Sequence, residues 1–96
     1  MNTRDFEAQL IAENFGEVVT VEKPVGYTMD EHQHPFEAWA LITHGALTLQ
    51  VAGVSTTYAA GDVFRLPAGT PHCESAISYG ATYLAGRKQP LTSAQA

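Results

Sequence analysis

Gly26-Tyr27-Thr28-Met29-Asp30-Glu31-His32-Gln33-His34-Pro35-Phe36-Glu37 is the stretch on which the fold turns. Its counterpart is Gly61-Asp62-Val63-Phe64-Arg65-Leu66-Pro67-Ala68-Gly69-Thr70-Pro71-His72, and together the two hold three of the four histidines. On a β-strand, residues two apart point to the same face, so His32 and His34 present two imidazoles side by side. Imidazole nitrogen is the commonest protein ligand for zinc, copper, iron and nickel. The pair therefore offers two adjacent coordination positions, and His72 from a neighbouring strand would supply a third. Alone, two histidines two apart on a polar strand are more often chance than ligands. The second segment shifts that balance.

Together the segments resemble the paired signatures of the cupin superfamily. The first motif, G-x5-H-x-H-x3,4-E-x6-G, meets Gly26, His32, His34 and Gly45; the second, G-x5-P-x-G-x2-H-x3-N, meets Gly61, Pro67, Gly69 and His72. The resemblance spans Gly26 to Ala76, and the fifteen residues between Gly45 and Gly61 agree with the short spacer of small microbial cupins. It implies an all-β fold, a double-stranded β-helix or jelly-roll barrel, here preceded by a short N-terminal helix. It also implies a pocket holding a divalent metal ion (iron, zinc, nickel, manganese or copper) on His32, His34 and His72. Two positions depart from the pattern. The ligand glutamate should fall at Ala38 or Trp39, neither of which can bind a metal, and Ala76 replaces the closing asparagine. Glu37 lies one position early, with strand parity opposite to the histidines. A kink at Pro35 would rotate it inward as a fourth ligand; a regular strand leaves it facing away, which parity favours.

Working outward, the remaining sequence is that of one ordinary globular domain. Ninety-six residues with 45% hydrophobic and 16% charged content can bury a core and do not read as disordered. A net charge of −5 disfavours nucleic acid or an anionic membrane as partner, since both reward a basic patch. The single cysteine, Cys73, excludes an intrachain disulfide and suits a reducing compartment. With no apolar run of membrane-spanning length and no signal-peptide pattern, a cytoplasmic location is expected.

Along the chain, residues 1–16 read as a helical appendage with Phe6 and Leu10 on one side, Asn2 or Thr3 as cap and Gly16 as terminator. Residues 17–87 read as the barrel. Its expected strands are Val18–Lys23, Tyr27–His34, Phe36–Thr43, Ala46–Val51, Val54–Ala59, Val63–Leu66, His72–Ile77 and Ala81–Ala85, with a turn at His44-Gly45. The chain from Gly86 onward reads as fraying, with residues 88–96 as a flexible tail. His44 is expected at an exposed turn and Cys73 as a buried thiol on the face opposite His72. Trp39 and Leu41 face away from the histidines, either as core between layers or as a patch covered by a second subunit. Tyr27, Tyr58 and Tyr83 are each candidates for the pocket mouth, with sandwich filling as the default.

Three imidazoles leave open positions on a divalent ion for water, a small-molecule substrate or dioxygen. Two classes of function follow. One is an oxygenase-like metal enzyme acting on a small molecule; the other is a binding or sensing module without turnover. Only Asp30, Glu31 and Glu37 lie near enough in sequence to serve as proton-transfer groups, which favours the second class slightly. Assembly as a homodimer is expected, both from the Trp39/Leu41 stripe and from the resemblance.

Overall fold

The computed structural model describes residues 1–90. Its elements are α1 (Thr3–Ala12), β1 (Glu17–Lys23), β2 (Tyr27–His32), β3 (Glu37–Val51), β4 (Val54–Ala59), β5 (Val63–Leu66), β6 (His72–Ala76) and β7 (Ala81–Lys88). The strands pair antiparallel in the order β1-β7-β3-β6-β2, and β4 and β5 also pair with β3. The result is the expected jelly-roll architecture: a curled antiparallel half-barrel with one N-terminal helix.

The long strand β3 makes the curl. Its first half pairs with β5 and β7, and its second half with β4 and β6. Between Ile42 and His44 the register against β7 slips by one residue. Such a bulge reverses which residues face inward. Ala40 and Ile42 point into the core before it, and Leu47 and Leu49 after it. The turn expected at His44-Gly45 is therefore absent, and the strand runs on through a bend. Gly45 sits there at φ 74°, and a Cβ on it would collide with the Gly80 carbonyl oxygen.

The main core lies between the two halves of the curl, built from Ala40, Ile42, Leu47, Leu49, Phe64 and Tyr83 with their neighbours. A second cluster lies outside, where α1 covers the convex face. Phe6, Leu10 and Phe15 pack on Trp39 and Leu41, with Phe6 edge-on to the indole at 5.5 Å between ring centroids. The Trp39/Leu41 stripe is thus buried by the chain's own helix.

Asn2 caps α1 by accepting a hydrogen bond from the Asp5 backbone N–H at 2.8 Å. The helix ends at Ala12, and Asn14, not Gly16, takes the left-handed closing position at φ 63°. The Asn14 N–H donates to the Ile11 carbonyl and the Phe15 N–H to the Leu10 carbonyl. These two bonds form a Schellman closure, which drives Phe15 back onto Leu10. Arg65 then ties the helix end to the sheet, donating to Glu13 at 2.9 Å and to Glu37 at 2.7 Å. The fraying expected from Gly86 does not begin there. β7 continues to Lys88, and Gly86 is buried beneath Leu10, where a Cβ would stand 2.5 Å from the leucine methyl. Most of the expected tail, residues 91–96, lies outside the described residues.

Candidate metal centre

His32 and His34 are positioned by a second bulge. Tyr27 and Met29 stand opposite Ala76 and Glu74 on β6, and a register slip then sets His32 directly opposite His72. Because of that slip Tyr27 and Met29, at odd positions, share the concave face with His32 and His34 at even ones. β2 ends at His32, shorter than expected, and His34 belongs to the turn that follows. Its carbonyl accepts from the Gly69 N–H at 2.8 Å, which pins the turn to the Pro67–Thr70 loop. Its ring stacks on Phe36, 5.0 Å between centroids.

The three imidazoles converge. Ring centroids are 4.3 Å apart for His32 and His72, 5.0 Å for His32 and His34, and 5.3 Å for His34 and His72. Glu74 joins them from β6, and the four residues offer ligand atoms all within 4.8 Å of one another. Its Oε2 lies 2.9 Å from His32 Nε2 and 3.1 Å from His72 Nε2, and its Oε1 accepts from the Tyr27 hydroxyl at 3.2 Å. His72 is almost fully buried, at 2% exposure.

The backbone sets the ring orientation. His32 Nδ1 lies 2.8 Å from the Asp30 carbonyl and His72 Nδ1 2.8 Å from the Thr70 carbonyl. A carbonyl only accepts, so each Nδ1 must carry the proton. In the neutral ring that leaves Nε2 as a bare lone pair. Two such lone pairs then face one carboxylate oxygen, an arrangement that repels unless positive charge lies among them. Burial, and then the neighbouring His32 and His72, hold the His34 pKa below its ordinary value. A depressed value keeps that ring a neutral electron-pair donor. Burial and the Glu74 carboxylate push Tyr27 up to about 12, so it remains a donor to Glu74.

Of the candidate ligands named from sequence, His32, His34 and His72 come together and Glu37 does not. Glu37 faces the outer side with Trp39, its carboxylate on Arg65. His44 is exposed on β3. Cys73 is half-buried on β6 rather than fully buried, opposite Gln50. Tyr27 and Tyr83 line the cavity beside the cluster, while Tyr58 packs against the main core from a hollow on the other side of Phe64. Asp30 and Glu31 are exposed. Glu74 escaped the sequence reading. Its signal was strand parity, because a residue two beyond His72 must share its face.

A cavity of about 160 Å³ opens beside the cluster, lined by Tyr27, Met29, Phe36, Phe64, Tyr83 and Arg87 among others. Donors on one ion with bonds of about 2.0–2.2 Å stand at most about 4.4 Å apart. The observed set therefore reaches a single ion after side-chain movements of roughly a few tenths of an ångström, and these residues fit a divalent metal.

Comparison with known proteins supports the same architecture. The cupin domain family matches residues 18–82. No curated protein matches the sequence. Among solved structures, DMSP lyase DddQ from Ruegeria pomeroyi superposes with a TM-score of 0.69 at 25% identity, covering 79% of this chain and 39% of the lyase. KdgF from a Halomonas species gives 0.66 at 21% identity, covering 77% of this chain and 68% of KdgF. A conserved protein of unknown function from Streptococcus pyogenes gives 0.66 at 21%, covering 78% of this chain. This chain spans 65% of that protein's length. No helix among the described residues is long and apolar enough to cross a membrane.

Proposed function

This chain belongs to the cupin domain family, and from that premise we propose that His32, His34, His72 and Glu74 hold one divalent metal ion at the floor of a small-molecule pocket. The observation that carries the reading is the convergence of His32 Nε2 and His72 Nε2 on one Glu74 oxygen, each ring's Nδ1 being held by a backbone carbonyl. A divalent cation satisfies all four groups at once. The backbone carbonyls of Asp30 and Thr70 and the Tyr27 hydroxyl act as the outer partners that orient a metal's ligands. The carboxylate comes from the strand of the second motif instead of following the first histidine pair, so Ala38, which also lines the cavity, leaves room there.

Such an ion supplies Lewis-acid polarisation of an oxygen-bearing ligand and, if redox-active, oxygenase-like chemistry. The chain's own residues bind and orient. Met29, Phe36 and Phe64 give the pocket apolar walls, and Tyr27 holds the Glu74 carboxylate in place. One observation favours a non-catalytic binding or sensing role beside the enzymatic one: Glu74 is the single carboxylate lining the cavity among the described residues, and it is already engaged. Proton-transfer chemistry has no free carboxylate there among the described residues. DMSP lyase DddQ shares the fold, which supports the enzymatic role.

Elemental analysis of protein purified without chelators tests the site. The intact chain is expected to carry about one equivalent of a divalent metal, and His32→Ala, His34→Ala and His72→Ala to lose most of it. His44→Ala should retain it. Equal metal content in all four variants would overturn the assignment. Oxygen uptake on adding small substrates then separates an oxygenase from a binding module.

A further inference from the structure

The cavity beside the metal centre carries an unusual set of polar groups. Apart from the four cluster residues and Tyr27, its polar lining consists of Lys23, Tyr83 and Arg87. All three are hydrogen-bond donors, two of them cations. The chain has only five lysines and arginines and a net charge of −5. Two of those five line this one hollow, whereas Arg65 is spent on Glu13 and Glu37 outside the barrel. Positive charge is scarce here and is placed at the pocket.

The geometry leaves these donors available. Tyr83 is 7% exposed, and unlike Tyr27 its hydroxyl meets no acceptor among the described residues. Tyr83 lines the cavity, and its hydroxyl is not sealed away from solvent. Arg87 sits over the Phe36 ring at 4.9 Å, and Phe36 is stacked on His34, so the guanidinium stands one ring away from the metal ligands. One of its nitrogens, Nη1, donates to Glu17 at 3.2 Å. A guanidinium has five N–H groups in a planar fork, so donors remain for a bidentate carboxylate. Lys23 lies over the Tyr27 ring at 4.6 Å. Its ammonium meets no carboxylate at ion-pair distance among the described residues.

We infer that the pocket's ligand is a small carboxylate with a second oxygen beside the carboxyl group, its anion held by Arg87 with Tyr83 and its oxygen end directed at the metal. The chelating half rests on the metal-site reading above; the anion-binding half stands on the cavity alone. An uncharged ligand would leave the Lys23 ammonium, the remaining N–H groups of Arg87 and the Tyr83 phenol without an anionic partner in the pocket. A cavity of about 160 Å³ limits the ligand to roughly the size of a hydroxy or keto acid of a few carbons. Phe36, Phe64 and Met29 take its apolar side.

The test is calorimetric titration with glycolate, lactate, pyruvate, malonate and succinate, each against its neutral amide. It is run on metal-loaded and on chelator-treated protein. At least one acid is expected to bind tenfold or more tightly than its amide in both forms. Arg87→Met should abolish that preference while metal content stays unchanged, Arg87→Lys should restore part of it, and Tyr83→Phe should weaken it. The inference is overturned if no acid outbinds its amide, or if Arg87→Met keeps the preference. A chain that takes up no metal yet still prefers acids through Arg87 sinks the metal reading and leaves the anion site standing. Metal uptake without any acid preference does the reverse.

Discussion

At the scale of single residues, Glu74 and Glu37 make opposite statements about one charge. Glu74 meets two imidazoles and a tyrosine; Glu37 meets Arg65 on the outer face. Glu74→Gln keeps the shape and one oxygen but removes the anion, so metal affinity should fall tenfold or more, about 1.4 kcal/mol. Glu37→Gln should leave metal affinity unchanged, and metal titration of the two variants checks both. Acid should act in the same direction as Glu74→Gln. His34 titrates below the ordinary histidine value in the folded chain. The unfolded chain therefore takes up that proton first, and the stability present above about pH 6.5 is lost as the pH falls. Competition from protons also weakens the metal, because ligands must be deprotonated to bind. Metal-free protein should lose thermal stability on going from about pH 7.5 to about pH 5.5, and His34→Gln should flatten that loss. His32 and His34 were legible from their two-residue spacing and His72 from the second motif, although His34 lies just beyond the end of β2. Glu74 obeys the same rule with respect to His72, but the family pattern draws the eye to the positions after His34.

At the scale of elements, most strand segments could be read from β-branched runs and glycine-marked turns, but the two bulges could not. A bulge is one extra residue in a ladder, and nothing in the composition at Asp30-Glu31 or at Thr43 marks it. It exists because partner strands demand it: His32 has to meet His72, and β3 has to pass from one half of the curl to the other. Reading His44-Gly45 as a turn located the irregularity correctly and misjudged its kind, since a glycine at φ 74° serves a bend as well as a hairpin. The same gap hid the end of α1, where Asn14 takes the left-handed position that a glycine usually fills. Two glycines separate backbone strain from crowding. Gly53 sits at φ 79° with open space around its missing Cβ, whereas at Gly45 that space belongs to the Gly80 carbonyl. Gly53→Ala should cost about 1 kcal/mol for the left-handed conformation alone. Gly45→Ala should cost about 3 kcal/mol or more, because the backbone at the bend must also shift. Urea denaturation of both variants gives the two numbers, and equal losses would remove the steric argument.

For the molecule as a whole, the decisive feature is that the chain covers its own convex face. The sequence pattern put Trp39 and Leu41 away from the histidines but could not say what covers them, because helix-on-sheet contact is not written in either element alone. Phe6 and Leu10 on α1, Phe15 after it and the Arg65 pairs to Glu13 and Glu37 supply the answer. The stripe therefore offers nothing to a second subunit while α1 is in place, and a homodimer would have to use another surface. This arrangement has a direct optical readout, since Trp39 is the chain's one tryptophan and is 8% exposed. Leu10→Ala removes a side chain that fills the space above Gly86 and should cost roughly 2–5 kcal/mol. Deleting residues 1–15 removes the cover entirely. That truncated chain should show tryptophan emission shifted to longer wavelength and should self-associate in sedimentation velocity through the uncovered stripe. The intact chain, at the same concentration, should keep the blue-shifted emission of a buried indole. If truncation changes neither the emission nor the sedimentation coefficient beyond the loss of mass, the helix is not what shields Trp39, and the account of the convex face fails.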